Sequence, residues 1–511
     1  MANAFTETVI TPIKAMRLRY VPLLMIYFAY GASVFSGIAE SFFIKERLNL
    51  PAHALMMIAV WISIPWSIKM VFGQFVDSVP FLKSTRRSYV FFAAGLMAIG
   101  SLLMAGLAGE WTWILAMGSA NAIFIVASLI TVFGAVLQDV VADAISVEVV
   151  DRENRSEEEI RHELAMVQLL GRLSLSIAIF LVSGLGGWLA QIYSYQTIFL
   201  LTLIVPIISV TGALFIQIDI PQIKPINRKV FLGGLAYAAF VTSMAFSQFP
   251  GHQEIILVVS LIIVSILLFS ILGDVDHDTL KKILFAALVI FIYRAMPPVG
   301  PGLQWWEIDV LGFNKAFFGT LAQIGSGLAI AGMWFFAKWL TEKPIGWILL
   351  ILTLVSFILS LPVIGMYYGL HEWTQANFGF GAHTIALVDT ALASPFAQMS
   401  MVPMLTLIAI HAPRGNAATW FALMASLMNL ALTTGNLVSK WLNHIWVVTR
   451  EVKDSAGNIV TQADYTSLGH LLWSTTLVGL ILPLIATFLF LRQDVFSIRQ
   501  QTSTTTPANN S

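Results

Sequence analysis

The amino-acid sequence predicts an all-α polytopic membrane protein with about fourteen transmembrane spans. Two observations lead to this fold class. Hydrophobic residues make up 58% of the 511 residues and charged residues only 11%, whereas a soluble domain carries roughly 25% charged residues. Apolar runs also recur along the chain, and many reach the roughly 20 residues that a helix needs to cross a bilayer.

These apolar runs are continuous and do not alternate with polar residues, which favours helices over a β-barrel. We predict spans near residues 21–44, 53–75, 88–108, 113–145, 164–190, 196–217, 230–249, 254–272, 283–299, 315–338, 345–369, 383–410, 416–441 and 467–491.

Lysine and arginine are concentrated in alternate loops between the predicted spans. With the N-terminus inside, the cytoplasmic segments carry most of these cations, for example Lys83, Arg86 and Arg87 after the second span. Excess positive charge marks the cytoplasmic loops of a membrane protein. We therefore predict a multi-pass protein of the cell (inner) membrane with both termini cytoplasmic.

A charged segment at 221–229 follows six of the predicted spans, and two apolar spans poor in polar residues come next. Six further spans follow, and paired helical bundles are a common transporter architecture. We predict an N-terminal six-helix bundle at 1–220, a linker with two additional transmembrane helices at 221–280, a C-terminal six-helix bundle at 281–495 and a disordered tail at 496–511.

The composition also argues against several kinds of chemistry. The chain has no cysteine, which excludes disulfides, thiolate metal sites and a cysteine nucleophile. Its nine histidines are scattered without the spacing of metal ligands. No nucleotide-binding Gly-Lys-Ser/Thr loop is present, and the formal net charge of zero gives no sign of a nucleic-acid partner. We expect no cofactor, no metal and no enzymatic activity.

The second span ends in Pro-Trp-Ser-Ile-Lys at 65–69, which is followed by Gly73 and Asp77 and then by Arg86 and Arg87. This order resembles the cytoplasmic signature between the second and third helices of the major facilitator superfamily. The Pro-Trp-x-x-Lys string more narrowly resembles the folate–biopterin transporter family.

Two further segments are similar to that family, namely Gln-Asp-Val-Val-Ala-Asp at 138–143 and the run at 401–429. The resemblance implies a major facilitator fold of two six-helix bundles, here with an inserted two-helix hairpin. It also implies secondary active transport by alternating access, usually as a monomer.

The residues after the second span are candidates for gating. Gly73 lets the chain turn at little steric cost, and Asp77 can cap a helix or pair with Arg86 or Arg87. Ordinary loop electrostatics is the alternative. For Lys69 two interpretations stay open, because it can snorkel to the interface or pair with Asp77 or an acid on span four.

Asp139 and Asp143 are candidates for proton coupling. They are four residues apart and therefore share one helix face. A carboxylate at the middle of a bilayer costs roughly 3 kcal/mol on translocon scales, so both should face the bundle interior. Two close carboxylates repel each other, and one is expected to keep a proton available near neutral pH. A structural salt bridge to Arg172 is the alternative.

Gln168 and Arg172 share a face of span five, where the planar guanidinium suits a carboxylate. Arg172 can pair with the acids of span four or hold an anionic substrate, and competition between these partners would couple the two events. Arg294 is the candidate anion ligand of the second half. It precedes Pro297 and Pro298, where a helix break is expected.

Three further residues are assigned to the substrate site. Tyr30 and Glu40 lie on the first span, although Glu40 can also be a hydrated residue of the outer vestibule. Asp389 can be a partner for Arg294 or a helix N-terminal acid. Trp305 and Trp306 are interpreted more simply as an aromatic belt at the membrane interface.

The sequence therefore predicts a secondary active transporter that couples protons to the import of a folate-like or pterin-like organic anion. The alternative is a facilitator for another anionic small solute, such as a siderophore, a peptide or a nucleotide-like compound. A lipid enzyme would need a metal cluster or an activated nucleophile. A scaffold would not need intramembrane charges. The expected partners are the anion, protons and the bilayer.

Overall fold

The computed structural model describes the chain from residue 16 to residue 491 with internal gaps. Some helical side chains, including those of Asp77 and Gln168, also lie outside the described residues. The residues left out are 1–15, 49, 68, 79–83, 85, 151–155, 217–231, 233–235, 238, 242, 245–248, 250, 272–276, 337–342, 344, 397–398, 400–403, 405–407, 409–416, 454–457 and 492–511. The predicted linker at 221–229 and tail at 496–511 therefore cannot be compared with it.

The first half of the described chain is helical throughout. Short 3₁₀ turns at Leu18–Tyr20 and Ser33–Ser36 flank the first α-helix. The α-helices are α1 (Val21–Ala32), α2 (Gly37–Arg47), α3 (Ala52–Ser67), α4 (Lys69–Ser78), α5 (Arg87–Ala108), α6 (Thr112–Leu115), α7 (Ala120–Glu148), α8 (Glu157–Ile192), α9 (Tyr195–Leu201) and α10 (Ile204–Leu214).

The second half adds nine α-helices, a 3₁₀ turn at Ser394–Phe396 and a two-stranded antiparallel hairpin to the described structure. These elements are α11 (His252–Ile271), α12 (His277–Arg294), α13 (Pro301–Asp309), α14 (Lys315–Phe335), α15 (Ile345–Tyr367), α16 (Leu370–Phe378), α17 (Ala382–Ala393), α18 (Ala417–Ile445), β1 (Val452–Lys453), β2 (Ile459–Thr461) and α19 (Leu468–Leu491).

Within the described residues, seven helical segments are long and apolar enough to cross a membrane. Two shorter apolar helical segments, Ala52–Trp66 and His252–Ile266, accompany them. Most of the predicted span at 230–249 falls among residues left out, so the total of about fourteen stays a prediction.

The chain divides into two compact units that are not continuous in sequence. Unit 1 comprises 1–50, 64–252 and 313–326, and unit 2 comprises 51–63, 253–312 and 327–511. Two helices, α3 and α14, each have one end in unit 1 and the other in unit 2.

Unit 1 is held together by close helix contacts as well as by apolar side chains. Its largest core cluster joins residues of α1, α5, α7 and α8, with Leu23 and Ile26 fully buried. Glycine permits the approach of α1 to α8, because a Cβ on Gly31 would lie 2.3 Å from the backbone oxygen of Leu175. Small residues serve the same purpose wherever helices pack without a hydrophobic driving force in lipid.

The core of unit 2 is built around α12. Its fully buried residues Val289 and Ile290 pack with α15, α18 and α19. The hydroxyl of Tyr293 lies 2.9 Å from Oγ1 of Thr353 and 2.8 Å from Oγ1 of Thr487. These polar contacts fix the last turn of α12 between two neighbouring helices.

Gly31→Ala should destabilise the protein, because the new methyl group would press on a backbone oxygen that cannot rotate away. Overpacking costs roughly 1–3 kcal/mol. Gly95→Ala on α5 is the matched control, because no atom lies within 4 Å of its added Cβ. Thermal unfolding of the purified protein in detergent checks this, and equal midpoints for the two variants would contradict the close contact.

Candidate functional site

Lys69 connects the acidic residues that unit 1 places within its helices. It is the first residue of α4, and its ammonium donates hydrogen bonds to Asp139 and, at 3.3 Å, to Oδ2 of Asp143. Both aspartates stand on α7, one turn apart, as their spacing predicted. Two interpretations were left open for Lys69, and the structure shows the second: its ammonium pairs with acids on span four.

The two aspartates differ in their surroundings. The side chain of Asp139 is 13% exposed and that of Asp143 is 50% exposed. Tyr27, a buried residue of α1, donates from its hydroxyl to Oδ1 of Asp143 at 3.1 Å. Asp139 is thus enclosed with Lys69, while half of the side chain of Asp143 remains exposed.

Arg172 does not form the suggested ion pair with Asp139 or Asp143 in the described structure. It is exposed on α8, near enough to act electrostatically on Asp139 and Tyr27. The ammonium of Lys69 already contacts both carboxylates, so they do not require the guanidinium. Gln168, expected beside Arg172, has its side chain outside the described residues.

Aromatic rings flank the same charges. The ring centroids of Tyr30 and Trp66 are 5.9 Å apart, and the ammonium of Lys69 lies 5.9 Å from the centroid of Trp66. Tyr30 is therefore close to this charged cluster, as its assignment to the site requires. Glu40 lies in the first turn of α2 and is partly buried.

Gln138 fixes the position at which α7 presents Asp139. Its side chain is 1% exposed. Its Nε2 donates to the backbone oxygen of Ile26 at 3.3 Å, and its Oε1 accepts from the hydroxyl of Ser209 at 3.0 Å. These contacts tie α7 to α1 and α10. Adjacent residues of a helix point about 100° apart, so Asp139 is turned away from both contacts.

Arg86 binds Glu148, a residue that the sequence analysis did not assign to the site. Its Nε and Nη2 donate to the two carboxylate oxygens of Glu148 at 2.9 and 2.6 Å, and Nη1 donates to the backbone oxygen of Val76 at 3.3 Å. Such a two-point pair adds geometric specificity to charge. It joins the start of α5 to the end of α7.

The remaining gating candidates are Gly73, Arg87 and Asp77. Gly73 is not at a turn but inside α4, and a Cβ there would make only an ordinary contact of 3.9 Å with Val140. The helix continues through this position to Ser78, so the expected turn is wrong. Arg87 is exposed and lies over the ring of Phe91 at 5.6 Å. The side chain of Asp77 is outside the described residues.

A second buried acid, Glu163, was also missed because it lies in a charged run. Its carboxylate accepts hydrogen bonds from Arg19 and from the hydroxyl of Tyr20, and Arg17 approaches to 3.8 Å. Burial alone would raise the pKa of Glu163, but the hydrogen bonds from Tyr20 and Arg19 outweigh it and lower the pKa below its ordinary value of 4.5.

In unit 2, Arg294 is the last residue of α12, and the predicted helix break follows it. Residues 295–300 are not helical, and Gly300 has a φ of +100°. The carbonyls freed by the break are used internally, because Ser439 donates to Pro298 at 2.6 Å and Asn443 donates to Val299 at 2.9 Å. Two side chains of α18 therefore satisfy carbonyl groups within the break.

Arg294 and Asp389 form no ion pair with each other in the part of the chain that the structure describes. The Nε of Arg294 and the Oδ1 of Asp389 are buried without a hydrogen-bond partner. Asp389 lies near enough to Glu307 of α13 for the two carboxylates to repel each other. The side chain of Arg294 thus retains a donor for a ligand that the described residues do not supply.

Trp305 and Trp306 do not form an interfacial belt, and that expectation is wrong. They are only 2% and 4% exposed, because the loop after α18 covers α13. The guanidinium of Arg450 in this loop lies 5.4 Å from the ring centroid of Trp305, and Tyr465 hydrogen-bonds Asp309. Burial lowers the pKa of Arg450 to about 10, against the opposing influence of Tyr465 and Asp309.

Comparison with known proteins relates the sequence to one family of membrane transporters. The sequence matches the BT1 family over residues 31–509. It is 25% identical to a folate-biopterin transporter of Synechocystis sp., over 82% of this chain and 74% of that protein. It is 23% identical to folate transporter 1 of Plasmodium falciparum, over 82% of this chain and 71% of that protein. It is 22% identical to probable folate-biopterin transporter 4 of Arabidopsis thaliana, over 82% of this chain and 87% of that protein.

Solved structures resemble this chain in fold. A POT family transporter in complex with 5-aminolevulinic acid gives a TM-score of 0.65 at 12% identity, covering 94% of this chain and 96% of that one. The xylose transporter XylE from E. coli, in an inward open conformation, gives a TM-score of 0.51 at 13% identity, covering 91% of this chain and 94% of that one. The predicted all-α membrane fold of the major facilitator type is confirmed.

Arg86→Gln should destabilise the protein, because it leaves the carboxylate of Glu148 without its guanidinium. Removing one partner of a buried pair costs up to roughly 3–5 kcal/mol. The double variant Arg86→Gln/Glu148→Gln should recover part of this loss, since no charge then lacks its partner. Thermal unfolding of the single and double variants measures the coupling. Additive losses would contradict a direct interaction.

Glu163 should make stability depend on acid pH. Because its pKa is lowered in the folded protein, its contribution is present above the pKa of the unfolded chain and is lost as pH falls through the folded pKa. Glu163→Gln should therefore unfold at a lower temperature than the unaltered protein near neutral pH, and this difference should shrink below about pH 4.

The control for Glu163 is Glu372→Gln, whose side chain is 81% exposed. It should leave the unfolding temperature unchanged across the same pH range. A difference for Glu163→Gln that does not vary with pH would contradict the assigned ion pair.

Proposed function

The chain belongs to the BT1 family, and we propose that it imports a folate-like or pterin-like organic anion together with protons. As a member of this family, the chain is a multi-pass membrane transporter and not an enzyme. The proposal of proton-coupled anion import rests on the contact of Lys69 with both Asp139 and Asp143, close to Arg172.

The charges of this cluster support proton coupling. Lys69 and Arg172 supply two positive charges, and Asp139 and Asp143 supply two negative ones, so the four side chains are neutral together. A proton added to either acid leaves one positive charge in excess. In a medium of low dielectric constant this excess favours the entry of one carboxylate. Proton binding and anion binding therefore reinforce each other.

Each residue has a definite role in this proposal. Asp139, enclosed with Lys69, takes the proton, and its neutralisation releases the ammonium. Lys69 and Arg172 then hold the carboxylate of the solute. We assign Tyr30 and Glu40 to the substrate site as well, together with Gln168, whose side chain lies outside the described residues. Asp143 accepts a hydrogen bond from Tyr27 and stays half exposed.

In this proposal the second half of the chain contributes Arg294, at the end of α12, as a further ligand for the anion, and Asp389 on α17 is also assigned to the substrate site. Arg294 is suited to this role because its buried Nε has no partner among the described residues. The planar guanidinium of Arg294 suits a carboxylate, which it can bind through two parallel hydrogen bonds.

We also propose the arrangement in the membrane. Both termini are cytoplasmic and the protein resides in the cell (inner) membrane as a monomer, with six-helix bundles at 1–220 and 281–495, a two-helix insertion at 221–280 and a disordered tail at 496–511. The pair Arg86–Glu148 supports a gate on the cytoplasmic side. Gly73 and Asp77 lie on α4 and Arg87 begins α5. We assign these three residues to the same gate, which Lys69, at the start of α4, connects to the coupling acids.

Uptake by reconstituted vesicles tests the function. With an imposed pH gradient, inside alkaline, labelled folates or pterins should accumulate, and dissipation of the gradient should remove most of the uptake. Asp139→Asn should lower gradient-driven uptake to the level measured without a pH gradient, because the amide of asparagine cannot take up the proton that the carboxylate carries. Glu372→Gln, at an exposed acid, is the matched control and should transport normally.

The outcomes separate the alternatives. Accumulation of another anion, such as a siderophore or a peptide, with no uptake of any folate or pterin, would reject the substrate and select another solute. Undiminished gradient-driven uptake by Asp139→Asn would reject the coupling mechanism while leaving the substrate in place.

A further inference from the structure

The second and third residues of the inserted helix α11 are polar, and they attach it to α18 and to the part of α3 that belongs to unit 2. Gln253 is 1% exposed, and its Nε2 donates to the backbone oxygen of Met57 on α3 at 3.0 Å. The next residue, Glu254, accepts at Oε1 from Lys440 at 2.7 Å and from the indole of Trp441 at 2.8 Å, both on α18. One turn of α11 therefore contacts both helices.

Apolar contacts continue the attachment along α11. Its buried residues Leu257 and Val264 pack in one cluster with Val60 of α3 and with Leu430 and Leu437 of α18. The side of α11 that faces away carries exposed apolar residues, among them Val258, which is 55% exposed. The polar contacts of α11 with α3 and α18 are thus made at its first turn, and the contacts along the rest of the helix are apolar.

The helices that α11 bridges also touch each other directly. The hydroxyl of Thr433 on α18 donates to that of Ser63 on α3 at 2.8 Å. The rings of His53 and His444 meet edge to face, with centroids 5.4 Å apart. Every residue in these contacts belongs to unit 2, whereas α3 passes into unit 1 from Ile64 onward. The part of α3 that α11 holds is therefore the part that lies with α18.

We propose that α11 is a strap that clamps the first half of α3 onto α18 and so sets how readily this end of the carrier opens. Alternating access requires that packed helices separate at one end and close at the other. A helix that binds both partners must give up one set of its contacts when they separate. The hydrogen bond of Gln253 to a backbone oxygen is the simplest to break, while the charged pair of Glu254 stays on α18.

The attachment of α11 depends on its first turn, because this turn carries the charge of Glu254. Its Oε2 is buried without a hydrogen-bond partner among the described residues, so Lys440 and Trp441 supply its compensation through Oε1. Loss of Glu254 would release the start of α11 and with it the contact of Gln253 to α3. With both termini cytoplasmic, as proposed above, this end of the molecule is the external one.

Because the chain has no cysteine, pairs of introduced cysteines can report the separation of α3 and α18 in the full-length protein. Ser63→Cys/Thr433→Cys replaces two oxygens 2.8 Å apart, near the roughly 2.0 Å of a disulfide. In membranes treated with a mild oxidant this pair should crosslink rapidly. Adding Glu254→Ala should slow crosslinking several-fold, and Val258→Ala, on the exposed side of the same helix, should not change it.

A second measurement uses Ser63→Cys alone and a membrane-impermeant maleimide added from outside. Glu254→Ala should raise the labelling rate several-fold, because α3 leaves α18 more often. Glu254→Gln, which removes only the charge, should give smaller effects in both assays and replaces Glu254→Ala if that variant is not monodisperse. Equal crosslinking and labelling rates with and without Glu254 would overturn the strap. Neither assay needs a solute, so a failed transport experiment would not affect them.

Discussion

A charge placed among the helices of this protein is costly unless it is balanced locally, because lipid offers no water to solvate it. The contact of Lys69 with Asp139 and Asp143 meets this requirement in unit 1. It decides which helices must lie together: α4 brings the ammonium, α7 brings the acids, and α1 brings the hydroxyl of Tyr27 to complete the set. The packing of unit 1 follows from holding these three helices at hydrogen-bonding distance.

That packing depends on residues that carry no charge. Gly171 lets the ring of Tyr27 lie against α8, since a Cβ there would come within 2.7 Å of it. Gln138 fixes α7 against α1 and α10. At the ends of the helices, Arg86 with Glu148 and Arg19 with Glu163 close the charge balance where α5, α7 and α8 begin or end. The site is therefore a product of neutral close contacts as much as of ionic ones.

The sequence predicted the features that depend on local spacing. The shared face of Asp139 and Asp143 follows from four residues of helix, and the break after Arg294 follows from the chemistry of proline. Partners distant in sequence could not be predicted, because Lys69 had several acids within reach and Glu148 lies 62 positions from Arg86. Trp305 was misjudged because burial beneath a folded loop leaves no local pattern. Family resemblance supplied the fold, whereas the pairing of charges required coordinates.

The neutrality of the four-charge cluster in unit 1 also bears on what drives the transport cycle. If one proton enters with one carboxylate, their charges cancel, so the assembly that they form with Lys69, Asp139, Asp143 and Arg172 is as neutral when loaded as the four side chains are when empty. An electric field does about 2.3 kcal/mol of work on each elementary charge moved through 100 mV, and on a neutral assembly it does none. The membrane potential would then neither assist nor oppose reorientation, and the chemical gradient of protons alone would supply the driving force.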